Sequence, residues 1–224
     1  MKADNRIAEQ IKEISDTLPC GVTLIAVSKY HPAEAVMQAY EAGQKEFGES
    51  KAQDLVKKHE CLPDDIKWHF IGHLQSNKIK YIAPFIYLIH SIDSYKLLQE
   101  VNRHGAKHQR KIGCLLQIHI AQEETKFGFT PEECIEMLSN SEWRTLDNVE
   151  IRGIMCMASN TEDEAQIAQE FGKVQKLFNE VKEKFFDGND KFNILSAGMS
   201  DDYPIAVSHG SNHVRVGSAI FAEE

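Results

Sequence analysis

The sequence predicts one α/β domain over residues 1–224, a single (β/α)8 barrel of the TIM type with an extra helix at its N-terminus. The chain has 224 residues, a length at which such barrels commonly occur. Eight short apolar runs alternate with helical or polar segments, and no linker, repeat or low-complexity stretch separates them. The alternative is an open doubly wound sheet, but no glycine-rich fingerprint follows the first run, which argues against it.

The first predicted strand covers residues 22–27, a continuous apolar run rich in β-branched side chains. Pro19 and Gly21 precede it and Pro32 follows it, which is typical of a strand buried on both faces in a parallel sheet. Before this run, apolar side chains repeat at helical spacing, at Ile7, Ile11, Ile14 and Leu18. They predict the extra helix, which we expect to end at Pro19 and to cover the place of an eighth barrel helix.

Seven further apolar runs predict the remaining strands. They lie at residues 45–47, 67–71, 85–89, 112–120, 149–155, 192–195 and 214–216. Proline and capping residues predict where the intervening helices begin, at Pro32, Asp93, Thr130, Thr161 and Ser200. Asp201 and Asp202 follow Ser200, and the helix dipole favours negative charge in a first turn.

Composition excludes several classes of function. The formal net charge is −9 and no basic stripe is present, so we expect neither nucleic acid nor an anionic membrane surface as the main partner. The polar N-terminus does not resemble a signal peptide, and no apolar run is long enough to span a membrane. We therefore expect a cytoplasmic protein.

The five cysteines indicate reduced thiols. Their number is odd and no two of them form a CxxC pair, so the sequence predicts neither a disulfide framework nor a zinc site. Reduced thiols are typical of cytosolic proteins. We accordingly expect no bound metal.

Lys29 follows the first strand and is the first candidate for chemistry. In a barrel of this type, functional groups gather at the carboxyl ends of the strands. An ammonium at the end of a buried strand is poorly solvated there, which favours the neutral, nucleophilic amine that forms Schiff bases. The alternative is a structural lysine whose side chain simply extends into solvent.

Other polar groups follow the third, seventh and eighth strands. His73 follows the third strand. After the seventh come Ser196, Gly198, Met199 and Ser200, and after the eighth Gly217 and Ser218. The loops after strands seven and eight form the usual phosphate site of such barrels, because glycines let the backbone approach and N–H and hydroxyl groups donate to the anion.

Arg215 interrupts an apolar strand. Period two directs its side chain to the face opposite that of Val214 and Val216. A guanidinium inside a barrel needs partners, either a carboxylate at a strand end or a ligand. A lysine, a phosphate cradle and an arginine between them would suit pyridoxal 5'-phosphate, PLP.

The chain resembles the pyridoxal-phosphate homeostasis protein family, the YggS/PROSC-like proteins, which are similar to the N-terminal barrel of alanine racemase, fold type III. The resemblance covers nearly the whole chain. It is carried by AVSK (26–29), FGES (47–50), WHFIGHLQSNK (68–78), HSID (90–93), KFGF (126–129), RGIMCM (152–157), SAGMSDD (196–202) and VRVGSAIF (214–221).

The resemblance implies a role for each matching residue. Lys29 would form the Schiff base with PLP, and Ser200, Gly217 and Ser218 would hold its phosphate beside Met199. Arg215 would face the pyridine nitrogen, and His73 and Met155 would lie near the ring. Where this family usually has Asn, this chain has Ser50, whose short hydroxyl offers less reach than an amide. By contrast, we interpret His69, His90 and His119 as hydrogen-bonded core residues and Lys126 as a surface residue.

The function implied is buffering or delivery of PLP inside the cell with little or no catalysis, with apo PLP enzymes as possible recipients and a monomeric protein. In support, no second domain follows the barrel to supply an opposing base, and an arginine at the pyridine nitrogen weakens the ring as an electron sink. One alternative is a racemase-like PLP enzyme with Lys29 as one base and Tyr30 or Tyr203 as the other. Another is a lysine aldolase that acts on a sugar phosphate.

Overall fold

The structure, a computed structural model, describes residues 6–120 and 127–221. Eight parallel strands follow one another in sequence order around a closed barrel, in which β8 pairs with β1. The strands are β1 Thr23–Val27, β2 Glu46–Glu49, β3 Lys67–Phe70, β4 Leu88–Ile92, β5 Ile112–His119, β6 Val149–Met157, β7 Ile194–Ser196 and β8 His213–Val216. The predicted (β/α)8 barrel is thereby confirmed, and the open doubly wound sheet is wrong.

Helices surround the barrel. Within the described residues they are α1 Arg6–Thr17, α2 Ala33–Glu41, α3 Ala52–Cys61, α4 Ile79–Ile82, α5 Tyr95–Lys107, α6 Pro131–Ser139, α7 Glu164–Phe185, α8 Tyr203–Ser208 and α9 Ser218–Phe221. Two short 3-10 helices lie at Ser76–Lys78 and Glu142–Thr145. None of the helices described is both long and apolar enough to cross a membrane.

The extra N-terminal helix takes the predicted place. α1 buries Ile7, Ile11 and Ile14 and packs against α2 and α9. Because α9 has a single turn, α1 covers the part of the barrel wall that a full eighth helix would cover.

The fourth strand lies three residues later than the sequence predicts. The amides of Phe85 and Ile86 donate to the carbonyl of Ile82 and so close the end of α4, and pairing with β3 begins only at Tyr87. An apolar run does not show where the preceding helix ends, so the predicted strand included residues of the last turn of α4.

Three predicted helix starts are also wrong by one or two residues. Ser94 rather than Asp93 caps α5, and Asp163 rather than Thr161 caps α7, in each case by accepting a backbone N–H bond. Asp202 caps α8, because the amides of Asp202 and Tyr203 turn back to the carbonyl of Met199. The capping box at Thr130 is confirmed.

A β-bulge in β6 shapes the barrel wall. Cys114 pairs with Ile151 and Leu115 pairs with Gly153, so Arg152 is an extra residue. Gly153 has φ +154°, and a Cβ atom there would lie 1.8 Å from the carbonyl oxygen of Ile194. The bulge thus requires a residue without a side chain.

Replacing Gly153 tests this requirement. We expect Gly153→Ala to lower the free energy of unfolding by at least about 3 kcal/mol, because backbone strain and a clash with β7 combine. The matched control is Gly172→Ala within α7, where the new methyl meets no atom closer than 3.6 Å. Urea unfolding should show the control unchanged or about 0.5–1 kcal/mol more stable. Equal stability of the two variants would contradict the bulge.

Candidate cofactor site

The carboxyl ends of the strands form one face of the barrel, the mouth, and Lys29 lies there. Ile25 pairs with Arg215 in register, and period two places Val27 on the same, interior side of β1, with Lys29 in the turn that follows. The side chain of Lys29 is exposed, so the expected loss of solvation is not found. Lys29 stands two residues beyond the end of β1, where the mouth opens to solvent.

A buried ion pair holds the backbone that carries Lys29. The amide of Ser28 donates to the carbonyl of Gly48 at 3.0 Å, and the carbonyl of Ser28 accepts from Lys58 Nζ at 2.8 Å. Lys58 also pairs with Glu49, whose carboxylate accepts from the Ser28 hydroxyl at 2.7 Å. Sequence analysis missed Lys58 because nothing in the pattern of a polar helix distinguishes it from a surface lysine.

Ser200, Gly217 and Ser218 come together where the loops after β7 and β8 meet, and β8 is the strand next to β1. The hydroxyl of Ser218 donates to Ser200 Oγ at 2.9 Å, and the Gly217 amide lies 3.4 Å from the same oxygen. A Cβ atom at Gly217 would stand 3.0 Å from the carbonyl oxygen of Val27, so glycine lets β8 and β1 approach closely. These weakly engaged donors form a cradle suited to an anion.

Arg215 lies inside the barrel, as period two predicts, and is 4% exposed. Its NH1 donates to Ser196 Oγ at 2.6 Å and its NH2 to the carbonyl of Cys156 at 2.9 Å. The partners are neutral oxygens, so the predicted alternative of an ion pair with a strand-end carboxylate is not what these contacts show. The third nitrogen, Nε, donates to no acceptor within the described residues.

Four hydrogen bonds connect Arg215 to the opposite end of the barrel. We call this set the interior polar row; it consists of Glu46, His69, His90, Ser196 and Arg215. His69 Nε2 lies 3.0 Å from Glu46 Oε2, and His69 Nδ1 lies 2.9 Å from His90 Nε2. His90 Nδ1 lies 3.0 Å from Ser196 Oγ. The interpretation of His69 and His90 as hydrogen-bonded core residues agrees with these contacts.

Burial keeps the row's histidines neutral. It lowers the pKa of His69 and lowers that of His90 well below the usual histidine value. Burial alone would raise the pKa of Glu46, but hydrogen bonds from His69 and Lys67 lower it to about 2. Burial also lowers the pKa of Arg215, although a guanidinium stays charged in proteins. The row therefore has a charged group at each end and neutral groups between them.

His73 lies at the mouth. Its ring stacks on Phe127 with centroids 3.9 Å apart, and its Nδ1 lies 3.4 Å from Asp93. The pair of stacked rings stands on the side of the mouth formed by the loops after β3 and β5. This contact is one that sequence reasoning could not anticipate, because the two residues lie in different loops.

The methionine predicted near the cofactor ring, Met155, and the one predicted beside its phosphate, Met199, differ in burial. Met155 is buried in an apolar layer of the barrel interior with Leu88, Leu115 and Ile194, and it pairs in register with Ser196. Met199, by contrast, is 41% exposed at the mouth. Met157, one pleat nearer the mouth than Met155, is half-buried, and sequence analysis did not select it.

Ser50 is half-buried and packs against the loop after β3. A Cβ atom at Gly72 would stand 2.8 Å from Ser50 Cβ, so the two residues are in close contact. Lys126, predicted as a surface residue, lies outside the described residues.

The fold and the mouth define a class, a TIM-type barrel that carries an exposed lysine (Lys29), an anion cradle and a buried arginine at the carboxyl ends of its strands. The chain belongs to the family described as alanine racemase, N-terminal domain, whose model matches residues 4–224. The family expectation from the sequence motifs is thereby confirmed.

Two named relatives and one solved structure are similar to this chain over most of its length. The chain is 37% identical to the pyridoxal phosphate homeostasis protein of Helicobacter pylori strain J99, over 90% of this chain and 88% of that protein. It is 33% identical to the protein of the same name from Aquifex aeolicus, over 98% and 96% of the two chains. The structure of PipY from Synechococcus elongatus with PLP bound superposes with a TM-score of 0.88 at 34% identity, and covers 96% of this chain and all of PipY.

The neutral buried histidines predict acid sensitivity. Burial lowers the pKa of His69 and His90, and that of His213 to about 4. The unfolded chain takes up these protons near pH 6.5 and the folded barrel does not, so stability is full above about pH 6.5 and falls as the pH drops. Each histidine should contribute about 1.4 kcal/mol per pH unit until the pH reaches its folded pKa.

Urea unfolding between pH 7.5 and pH 5 measures this slope. We expect His213→Asn to reduce the slope of the unfolding free energy against pH by the contribution of one histidine, about 1.4 kcal/mol per pH unit. The matched control is His108→Gln, which removes one imidazole from the surface instead of from the barrel interior. A free energy of unfolding that does not vary over this range would contradict the assignment of neutral interior histidines.

Proposed function

We propose that this protein binds PLP through Lys29 and serves PLP homeostasis, holding the cofactor and passing it to apo PLP enzymes with little or no catalysis of its own. The observation that carries the proposal is the arrangement of three groups around one mouth. They are the amine of Lys29, the cradle of Ser200, Gly217 and Ser218, and the buried guanidinium of Arg215. The named relatives and PLP-bound PipY support the same ligand.

The donor set fits PLP group by group. The hydroxyls of Ser200 and Ser218 bond to each other and can rotate toward a phosphate, and the Gly217 amide can donate beside them. Arg215 Nε is a further donor, and a donor suits an unprotonated pyridine nitrogen. Bound PLP supplies an aldehyde that condenses with a primary amine, with release of one water, to form a Schiff base.

Arg215 argues for a carrier rather than an efficient enzyme. A guanidinium is a permanent donor that cannot accept a proton from the pyridine ring, so the ring nitrogen remains unprotonated. An unprotonated ring withdraws electrons less strongly, which disfavours loss of the amino-acid α-proton. Because Arg215 is buried and held at two nitrogens, it cannot turn aside during turnover.

Exposed apolar side chains at the mouth support transfer to other proteins. Tyr30, Phe127 and Met199 follow β1, β5 and β7 and are 77%, 53% and 41% exposed. Such side chains at the edge of a ligand site favour protein contacts. We propose that a monomer presents this edge to recipient enzymes.

The alternative function is a racemase-like PLP enzyme, which needs a second base opposite Lys29. Tyr203 is poorly placed for this, because its hydroxyl lies 3.1 Å from Thr17 Oγ on α1. Tyr30 remains the candidate, with a left-handed backbone (φ 72°) directly beside Lys29.

Solvent deuterium exchange separates the two functions. We expect the PLP-loaded protein to exchange the α-proton of alanine and serine no faster than free PLP, as followed by proton NMR in deuterium oxide. Exchange well above that level, abolished by Tyr30→Phe, would favour the racemase-like enzyme.

The absorption spectrum tests the covalent site. We expect a visible band on addition of PLP, bleached by borohydride, with the reduced adduct mapped to Lys29. Lys29→Ala should lose the band and the adduct. Lys51→Ala is the matched control, since this exposed lysine also lies near Tyr30, with its Nζ 5.4 Å from the ring centroid, and it should behave as the wild type. An adduct on Lys51, or a band that survives Lys29→Ala, would refute the assignment, and a colourless wild type would favour the sugar-phosphate aldolase.

A further inference from the structure

We propose that the interior polar row is a positioning device for Arg215, in which every hydrogen bond donates in one direction, from Arg215 toward Glu46. Ser196 and His90 then orient the guanidinium, and His69 and Glu46 fix the orientation of His90. This inference rests on the proposed function in so far as the guanidinium faces PLP. The direction of the protons is a property of the protein alone.

Proton counting from the Arg215 end gives this direction. A guanidinium only donates, so Ser196 Oγ accepts from NH1 at 2.6 Å. The hydroxyl proton of Ser196 is then available to His90 Nδ1 at 3.0 Å. If His90 is neutral and accepts at Nδ1, its proton is on Nε2 and must be donated to His69.

Counting from the other end gives the same result. The carboxylate of Glu46 only accepts, so His69 carries a proton on Nε2, 3.0 Å away. A neutral His69 then accepts at Nδ1 from His90 Nε2 at 2.9 Å. Two independent starting points thus assign the Nε2–H form to both histidines.

The surrounding charges favour neutral rings throughout the row. Burial and Arg215 act against a positive charge on His90, and burial, Lys67 and Arg152 act against one on His69. Glu46 is the group that favours protonation of His69, and burial outweighs it.

The consequence concerns Arg215. Because the Ser196 proton points toward His90, both lone pairs of Ser196 Oγ are available to the guanidinium. The Cys156 carbonyl fixes NH2 from a second direction, at 2.9 Å. The guanidinium plane is therefore set by the protein before any ligand binds, and Nε is left to meet the pyridine nitrogen.

The row also joins two faces of the barrel. Glu46 receives a second hydrogen bond from Lys67 Nζ at 2.9 Å, and Lys67 is half-exposed at the end of the barrel remote from the mouth. Electrostatic changes at that end can reach Arg215 through four polarised hydrogen bonds.

Nitrogen-15 NMR of the imidazole rings in the cofactor-free protein tests the direction without any substitution. Spectra of His69→Gln and His90→Gln assign the two rings. We expect both to carry one proton, on Nε2, at pH 7.5, and neither to titrate near pH 6.5, the usual value for histidine. A proton on Nδ1 of either ring, or a charged ring at pH 7.5, would overturn the proposal.

Serine substitutions test the effect on the ligand. Ser196→Ala removes the acceptor of Arg215 NH1, and we expect a shifted visible band of bound PLP and about 10-fold weaker binding or more. Ser91→Ala is the matched control: this serine is also buried, but its hydroxyl has no hydrogen-bond partner in the part of the chain described. It should leave the band and the affinity unchanged. Ser196→Thr keeps the hydroxyl and should restore the wild-type band.

The outcomes separate this inference from the proposed function. If the wild type does not bind PLP, the proposed function fails, and NMR still decides the direction of the row. If the wild type binds PLP and a folded Ser196→Ala shows the wild-type band and affinity, the positioning role fails while the carrier function stands.

Discussion

A charged guanidinium in the centre of the barrel is the constraint around which the interior is arranged. Moving an unpaired charge out of water costs many kcal/mol, so Arg215 must be surrounded by acceptors. The barrel provides a serine hydroxyl and a strand carbonyl, and the hydroxyl is in turn oriented by two histidines that end at a carboxylate. Polar residues thus occupy positions in β2, β3, β4, β7 and β8 that an ordinary barrel would fill with apolar side chains.

The same constraint divides the interior into regions of different character. Leu88, Leu115, Met155 and Ile194 form an apolar layer on the side of β4 to β7. The polar row crosses beside it, and its end at Arg215 leads to the open mouth. The outer face of the strands packs against the helices and supplies most of the apolar core. A polar interior thus lies below an exposed lysine, and it separates the buried guanidinium of Arg215 from the exposed amine of Lys29.

Period two and element count were enough to predict the barrel, the interior position of Arg215 and the joining of Ser200, Gly217 and Ser218 at one place. These features depend on local pattern and on the topology of the fold. The polar row could not be predicted in the same way: His90 and Ser196 are 106 residues apart, and only the closed barrel brings them together. The buried pair of Glu49 and Lys58 and the start of β4 depend likewise on how one helix packs or ends.

The contrast between Lys29 and Arg215 bears on function. The side chain of Lys29 is exposed to solvent. The buried pair of Glu49 and Lys58 holds the backbone that carries it. The arginine is buried and held at two nitrogens, and a guanidinium can only donate. A reaction that uses the cofactor ring as a strong electron sink needs a protonated pyridine nitrogen, which such a donor disfavours, whereas reversible capture needs an accessible amine and a fixed orientation. On this ground we propose retention and release of the cofactor, rather than turnover, as the role of this barrel.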